Sequence, residues 1–360
     1  MQKFKKNTLN MNCNCTPRRS FLKQLASMSA ISGGLSLSAI AQTSSTSSPE
    51  VIDTHHHFFP PEYQQAWKDW ANQRKIPLVG DQGIWSVEKS LGVMDQAGVK
   101  KSILSLASTP GLWFDLPVPE VNKLVRTCND FGAGMVKNNP NRFGLFAALP
   151  MVDVESSLKE ISYALDTLKA DGIGLQTNYG DKWPGDPAFD LVFAELNRRK
   201  AVVYFHPLVA ACCGRLNVGT INPVLEVPHD TTRAVVSLLL RGTLAKYRDI
   251  KWLFSHGGGT IPMLAGRIDF FHGHQSKTAE FAPQGVEAEF KRLYYDTANA
   301  THPSSMAALL KLVPSSQIMY GSDYPYVPLD TQLKALDQLG LNNNELMDIK
   351  YKNAQRLLKK

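Results

Sequence analysis

The feature that most constrains this chain is an alternation. A short apolar run rich in branched and aromatic residues, followed by an amphipathic segment, occurs eight times. The candidate strands are Val51–Phe59, Ser102–Ala107, Phe143–Leu149, Gly172–Asn178, Val202–His206, Ile250–His256, Leu293–Thr297 and Ile318–Asp323. Helical periodicity falls between them, over Ser86–Ala97, Pro119–Asn138, Val154–Ala170, Ala188–Lys200, Thr231–Tyr247 and Pro303–Leu312. Asp230 before Thr231, and Thr301 or His302 before Pro303, read as helix N-caps. Eight such units predict an α/β fold of the closed (β/α)₈ TIM-barrel type rather than an open sheet. The stretch from Pro60 to Trp85 reads as an insertion over the barrel mouth. No internal repeat or second domain interrupts the barrel, which is expected over residues 51–360.

The N-terminal segment reads as an address. Arg18-Arg19-Ser20-Phe21-Leu22-Lys23 is a twin-arginine signature, and Leu25 to Ala41 is modestly apolar. Ala39-Ile40-Ala41 supplies a small-x-small cleavage pattern, giving a signal peptide over 1–41 and a mature chain from Gln42. Residues 42–50 form a Ser/Thr-rich linker. The apolar stretch is short and weakly hydrophobic for a membrane span. A folded, periplasmic protein exported by the twin-arginine machinery is the expectation. This segment also settles the meaning of the net charge of +7. Six of the 39 basic residues lie before residue 42, leaving 33 against 32 acidic ones, so a general nucleic-acid binder is excluded. Cys13 and Cys15 leave with the signal. Cys128, Cys212 and Cys213 are odd in number, have no C-x-x-C spacing, and read as plain buried or loop residues.

In a barrel of this type, chemistry collects at the C-terminal ends of the strands. Strand one ends Asp53-Thr54-His55-His56-His57, where alternation puts His55 and His57 on one face and His56 on the other. Strand five ends at His206, strand six at His256-Gly257-Gly258-Gly259, and strand eight at Gly321-Ser322-Asp323-Tyr324-Pro325. Four imidazoles and a carboxylate on one rim suit a divalent ion, Zn²⁺ first and Mn²⁺ or Fe²⁺ as well. Such an ion would act as a Lewis acid.

Ile52-Asp53-Thr54-His55-His56-His57, His206-Pro207, Ser255-His256-Gly257-Gly258-Gly259 and Tyr320-Gly321-Ser322-Asp323-Tyr324-Pro325, in this order, resemble the amidohydrolase superfamily. The resemblance is to the branch of aminocarboxymuconate-semialdehyde, 6-methylsalicylate and γ-resorcylate decarboxylases, over about residues 51–358. It implies that His55, His57, His206 and Asp323 are metal ligands and that His256 handles protons or activates the metal-bound water. It implies that Arg267 reaches a neighbouring subunit's site in a homodimer and grips the substrate carboxylate. The strand-four lysine that bridges two metals in other amidohydrolases has no counterpart, since Leu175-Gln176-Thr177 stands there, and one metal is implied.

On the residues alone two reactions stay open. A carbon could receive a proton from Asp323 or His256 before CO₂ leaves, or His256 could deprotonate water for hydrolysis of a lactone, ester or amide. The resemblance favours a decarboxylase of a hydroxylated aromatic or unsaturated carboxylic acid, and a pocket without a carboxylate-gripping cation would favour the hydrolase. A metal-binding protein without catalysis is the third reading, and the presence of His256 speaks against it. His229 and the aromatic residues Trp113, Phe114 and Trp183 are candidate substrate contacts. Asp296 is a candidate to orient a ligand or water, and Gly257–Gly259 to let backbone approach the substrate. His272 and His274 read as surface residues.

Overall fold

The computed structural model describes residues 50–75, 85–107, 116–210, 212–213 and 218–359. The expected signal peptide, the cleavage site, most of the linker, and Trp113 and Phe114 lie outside these residues.

Eight strands run parallel in sequence order: β1 (Ile52–Phe58), β2 (Lys101–Leu106), β3 (Phe143–Ala148), β4 (Gly172–Gln176), β5 (Val202–His206), β6 (Lys251–Phe254), β7 (Tyr294–Asp296) and β8 (Ile318–Met319). Backbone hydrogen bonds bring the two ends of this sheet together. Thr54 N–H donates to the Tyr320 carbonyl, Asp323 N–H to that of His55, and His57 N–H to that of Tyr324. These bonds make the sheet a barrel, as the alternation predicts. Both faces of β1 are buried along its whole length, as a parallel strand between a packed interior and covering helices requires.

The principal covering helices are α1 (Pro61–Gln73), α2 (Val87–Ala97), α3 (Val118–Asn138), α4 (Val154–Ser162), α5 (Asp190–Arg198), α6 (Asn222–Leu240), α7 (Ile261–His272) and α8 (Pro303–Leu312). Ser86 caps α2 by accepting from Lys89 N–H, and Gly98 ends it in the left-handed conformation. His302, rather than Thr301, caps α8. The barrel interior is filled below the site by Ile52, Ile103, Phe146, Tyr204, Leu253 and Met319. The Phe146 and Tyr204 rings stack at 5.3 Å between centroids and form a floor.

Within the insertion after β1, Pro61–Gln73 is helical and buries Tyr63, Trp70 and Ala71. Two sequence expectations need correction. Strand eight is two residues long, since Asp323 takes a positive φ of 66° that no strand accommodates. Finally, α6 begins at Asn222, so Asp230 lies inside the helix instead of capping it. Pro228 lies inside this helix and removes one N–H from it. The helix continues through it, and the Thr231 and Thr232 hydroxyls donate to the carbonyls of Val227 and Pro228.

The three glycines after His256 all have positive φ and turn the chain from β6 into α7. At Gly259 a Cβ would sit 2.0 Å from the Pro228 carbonyl oxygen, which is backbone and cannot yield. Both conformation and space therefore demand glycine there. Gly259→Ala is expected to destabilise the fold by about 2–5 kcal/mol, read as a lowered midpoint in thermal or denaturant unfolding; a wild-type midpoint would contradict this account of the turn.

Candidate active site

The C-terminal rim of the barrel brings together His55, His57, His206, His256 and Asp323. His55 and His57 are fully buried on one face of β1, with their Nε2 atoms 3.1 Å apart. Asp323 Oδ1 lies 3.1 Å from His55 Nε2 and 3.2 Å from His57 Nε2. The His206 ring centroid is 4.5 Å from that of His57 and 5.0 Å from that of His55. His256 stands 5.0 Å from His55 on the other side. One ligand-capable atom each from His55, His206, His256 and Asp323 falls within 4.8 Å of the others. His256, expected to stand behind the ligands, is thus as close to the centre as they are.

The outer nitrogens of these rings explain why the inner ones face each other. His57 Nδ1 donates to the Ser105 carbonyl at 3.2 Å, and His256 Nδ1 to the Ala298 carbonyl at 3.1 Å. A carbonyl can only accept, so each Nδ1 carries the proton and each Nε2 keeps a lone pair for the centre. His55 Nδ1 is held by Asp296 Oδ2 at 2.8 Å. The other Asp296 oxygen accepts from the His256 and Ala298 N–H groups. Asp296 thus orients His55 and His256 together, the role considered for it in the sequence. Inward-facing imidazole lone pairs and a carboxylate are the donor chemistry of a divalent cation, and the residues present fit one.

His56 points away, as alternation requires. Its Nδ1 meets Asp53 Oδ2 and its Nε2 meets Ser90 Oγ at 2.6 Å. Asp53 also accepts from the N–H groups of His55 and Ser322 and from the Ser322 hydroxyl, so it pins β1 to the chain after β8. Sequence reasoning missed Asn299, which adopts a positive φ and donates from Nδ2 to Asp323 Oδ2 at 2.7 Å. Gln332 Nε2 in turn donates to Asn299 Oδ1. Nothing in the composition around Asn299 distinguishes it from an ordinary loop asparagine.

The charges are strongly coupled. Burial opposes a proton on His55, but the carboxylates of Asp296 and Asp323 outweigh it and push its pKa up to about 10. Burial lowers the pKa of His57 and His256, and lowers that of His206 well below the ordinary imidazole value. Burial would raise the pKa of Asp323, yet the neighbouring imidazoles, His55 above all, hold it well below the carboxylate range. Without an ion, the site at neutral pH holds an imidazolium at His55 beside the Asp323 carboxylate, with three neutral imidazoles around them.

Beside His206 is a cavity of about 20 Å³, the room a single water needs. Ser105, Phe146, Leu149, Gln176, Tyr179 and Tyr204 are among its lining residues. No lysine or arginine is among the described residues that line it. Arg267 is on the exposed side of α7, its guanidinium 5.0 Å above the Phe271 ring. His229 is half-buried in α6. Trp183 donates from Nε1 to Asp230 at 3.2 Å. It lines a different, outer cavity of about 440 Å³ with Asp186, Arg233 and Arg241. Asp230 is fully buried and also accepts from Thr177 and Asn178, so it organises the loop after β4. The Gly257–Gly259 turn packs on the protein itself, where a Cβ at Gly258 would lie 2.6 Å from the Tyr295 ring.

Comparison with known proteins gives a consistent picture. A family model described as amidohydrolase matches residues 52–360. A protein of Aspergillus niger named decarboxylase YanB is 36% identical over 293 residues, 78% of this chain and 78% of that one. A 6-methylsalicylic acid decarboxylase of Penicillium expansum is 33% identical, covering 79% of this chain and 87% of its own. The crystal structure of a 5-carboxyvanillate decarboxylase from Novosphingobium aromaticivorans, complexed with manganese and a nitrobenzoic acid ligand, superposes with a TM-score of 0.77. It is 19% identical and covers 86% of this chain and 96% of that chain, which shows a shared fold.

Two outcomes follow from the electrostatics. A cation binding at His55 Nε2 must displace the proton held there, whereas His57, His206 and His256 are already neutral. Loading Zn²⁺ at pH 7 is therefore expected to release about one proton, with affinity rising with pH until about 10. Calorimetry in buffers of different ionisation enthalpy measures this, and release near zero contradicts the assigned charge state. Asp296→Asn removes the carboxylate behind His55 and is expected to weaken metal binding about 10–100-fold in chelator competition.

Proposed function

This chain belongs to the amidohydrolase family, and we propose that within it the protein is a metal-dependent decarboxylase of a hydroxylated aromatic or unsaturated carboxylic acid. The observation that carries this reading is the convergence of His55, His57, His206, His256 and Asp323, all buried but the half-buried His206, at the strand ends. That site serves hydrolysis as well, and relatives named decarboxylases at 33% and 36% identity favour carbon–carbon cleavage. His55, His57, His206 and Asp323 would hold one divalent ion. Zinc suits three imidazoles and a carboxylate, and the manganese in the 5-carboxyvanillate decarboxylase structure supports a divalent ion of this general kind. When bound, the ion supplies positive charge that neutralises and orients the substrate's carboxylate and adjacent oxygen.

The chain's own residues move the proton. Burial keeps His256 neutral at pH 7, and its Nδ1 is tied to the Ala298 carbonyl, so Nε2 is the accepting atom. His256 takes the phenolic proton of the incoming acid and returns it to the ring carbon that bears the carboxylate. The bond from that carbon to the carboxyl carbon then breaks, its electron pair restores the ring, and CO₂ leaves with a phenolate as the other product. Asp323, fixed by Asn299, keeps a negative charge beside His256 and stabilises it while protonated. Tyr204 and Phe146 close the barrel beneath the reacting ring and exclude water from that side.

Export and assembly belong to the same reading. The twin-arginine signature and the Ala39-Ile40-Ala41 pattern support delivery of the folded enzyme to the periplasm. Met263, Phe270 and Phe271 on α7 are 75%, 74% and 51% exposed beside Arg267, and an apolar patch of this kind supports a homodimer.

The test is CO₂ release by metal-loaded protein from a panel of 2-hydroxybenzoates and muconate-type acids. Release is expected to stop with a chelator and with Asp323→Asn. His256→Ala is expected to keep its metal while losing about 10²–10⁴ in turnover. Chelator-sensitive cleavage of aryl esters or lactones, with no CO₂ from any acid, would make the protein a hydrolase. Near-normal turnover by His256→Ala would remove its proton-handling role.

A further inference from the structure

Gln176 is the last residue of β4, and it pairs in register with His206 on β5. Residues paired across neighbouring strands project from the same face, so both side chains enter the barrel beside the metal centre. Gln176 is only 9% exposed, and its side-chain carbonyl oxygen is buried without a hydrogen-bond partner. A buried acceptor left unpaired is costly, and native proteins retain few of them. The polar neighbours in the same cavity point elsewhere. The Tyr204 hydroxyl donates to Asp296, and the Tyr179 hydroxyl accepts from the Gln176 backbone N–H. Of the other polar lining residues, Ser105 Oγ faces His57 Nδ1 at 3.5 Å and His206 belongs to the metal centre, while Phe146, Leu149 and Leu175 are among the apolar ones.

We propose that Gln176 is the residue that reads a hydroxyl group on the substrate ring, its side-chain carbonyl accepting that hydroxyl's hydrogen bond beside His206. This rests on the aromatic-acid reading above and adds to it a selection rule: a ring bound at the metal centre is taken when it points a donor into this water-sized cavity and rejected when it points a methyl group there. A site with a buried acceptor discriminates strongly against a ligand that leaves it unpaired, because the analogue must bury that acceptor unsatisfied. A purely apolar pocket discriminates weakly between two substituents of similar size.

The experiment reads affinity, so it does not depend on turnover. Dissociation constants for the metal-loaded full chain are measured with benzoates carrying a hydroxyl at each ring position and with their methyl counterparts. The wild type is expected to prefer at least one hydroxyl over its methyl partner by about ten- to a hundredfold. Gln176→Leu and Gln176→Met are expected to lose that preference while binding metal like the wild type. Gln176→Glu, which keeps an acceptor oxygen, is expected to retain it. Three results overturn the proposal: no preference in the wild type, a preference intact in the Leu and Met variants, or an equal loss of affinity for every acid, the last two marking an acceptor satisfied by water alone. If none of the acids is decarboxylated but the preference holds and disappears as described, the decarboxylase reading fails and the role of Gln176 stands.

Discussion

Everything at the centre of this molecule depends on β1 hydrogen-bonding to the chain that follows β8. Thr54 and His57 donate to carbonyls beyond β8, Asp323 donates back to His55, and Asp53 ties Ser322 to the same strand. This seam shuts the barrel, and it also sets Asp323 against two histidines 266 and 268 residues away in sequence. Barrel closure and site assembly are one event, since the backbone bonds that complete the sheet hold the carboxylate in place. The space is tight enough that a Cβ at Gly321 would lie 2.9 Å from both Asp296 and His55.

Around that seam the imidazoles are governed from behind. Backbone carbonyls at Ser105 and Ala298 choose the tautomers of His57 and His256, and Asp296 holds His55. These three supports come from β2 and from the end of β7, so each ring is fixed by an element other than its own. The backbone adopts left-handed φ values at His256, Asn299 and Asp323, all within the site. Such conformations are tolerated by His, Asn and Asp more readily than by bulkier residues, and are typical of positions whose surroundings over-determine them.

The barrel and the convergent residues were legible in the sequence because both follow from period and position. Alternation along β1 separated His55 and His57 from His56, and the strand ends named His206, His256 and Asp323. What escaped depends on contacts between distant segments. Asp230 carries the local signature of a cap, and only the packing of α6 against the loop after β4 reveals a buried carboxylate serving Thr177, Asn178 and Trp183. Asn299 is visible only through its bond to Asp323. In sequence Gln176 is merely the residue standing where a lysine is missing; its orphaned oxygen appears only once β4 and β5 are side by side. Trp183, read as a wall for the substrate, lies instead against Asp230 and the outer cavity.

The donor set begins on the first strand and ends beyond the last. A nascent chain that has reached β6 offers imidazoles without the carboxylate, and one that stops before Asp323 never acquires the complete cage. Stable capture of an ion would therefore report that the chain has been made through Asp323 and that first and last strands have met, before any substrate is available to test the enzyme.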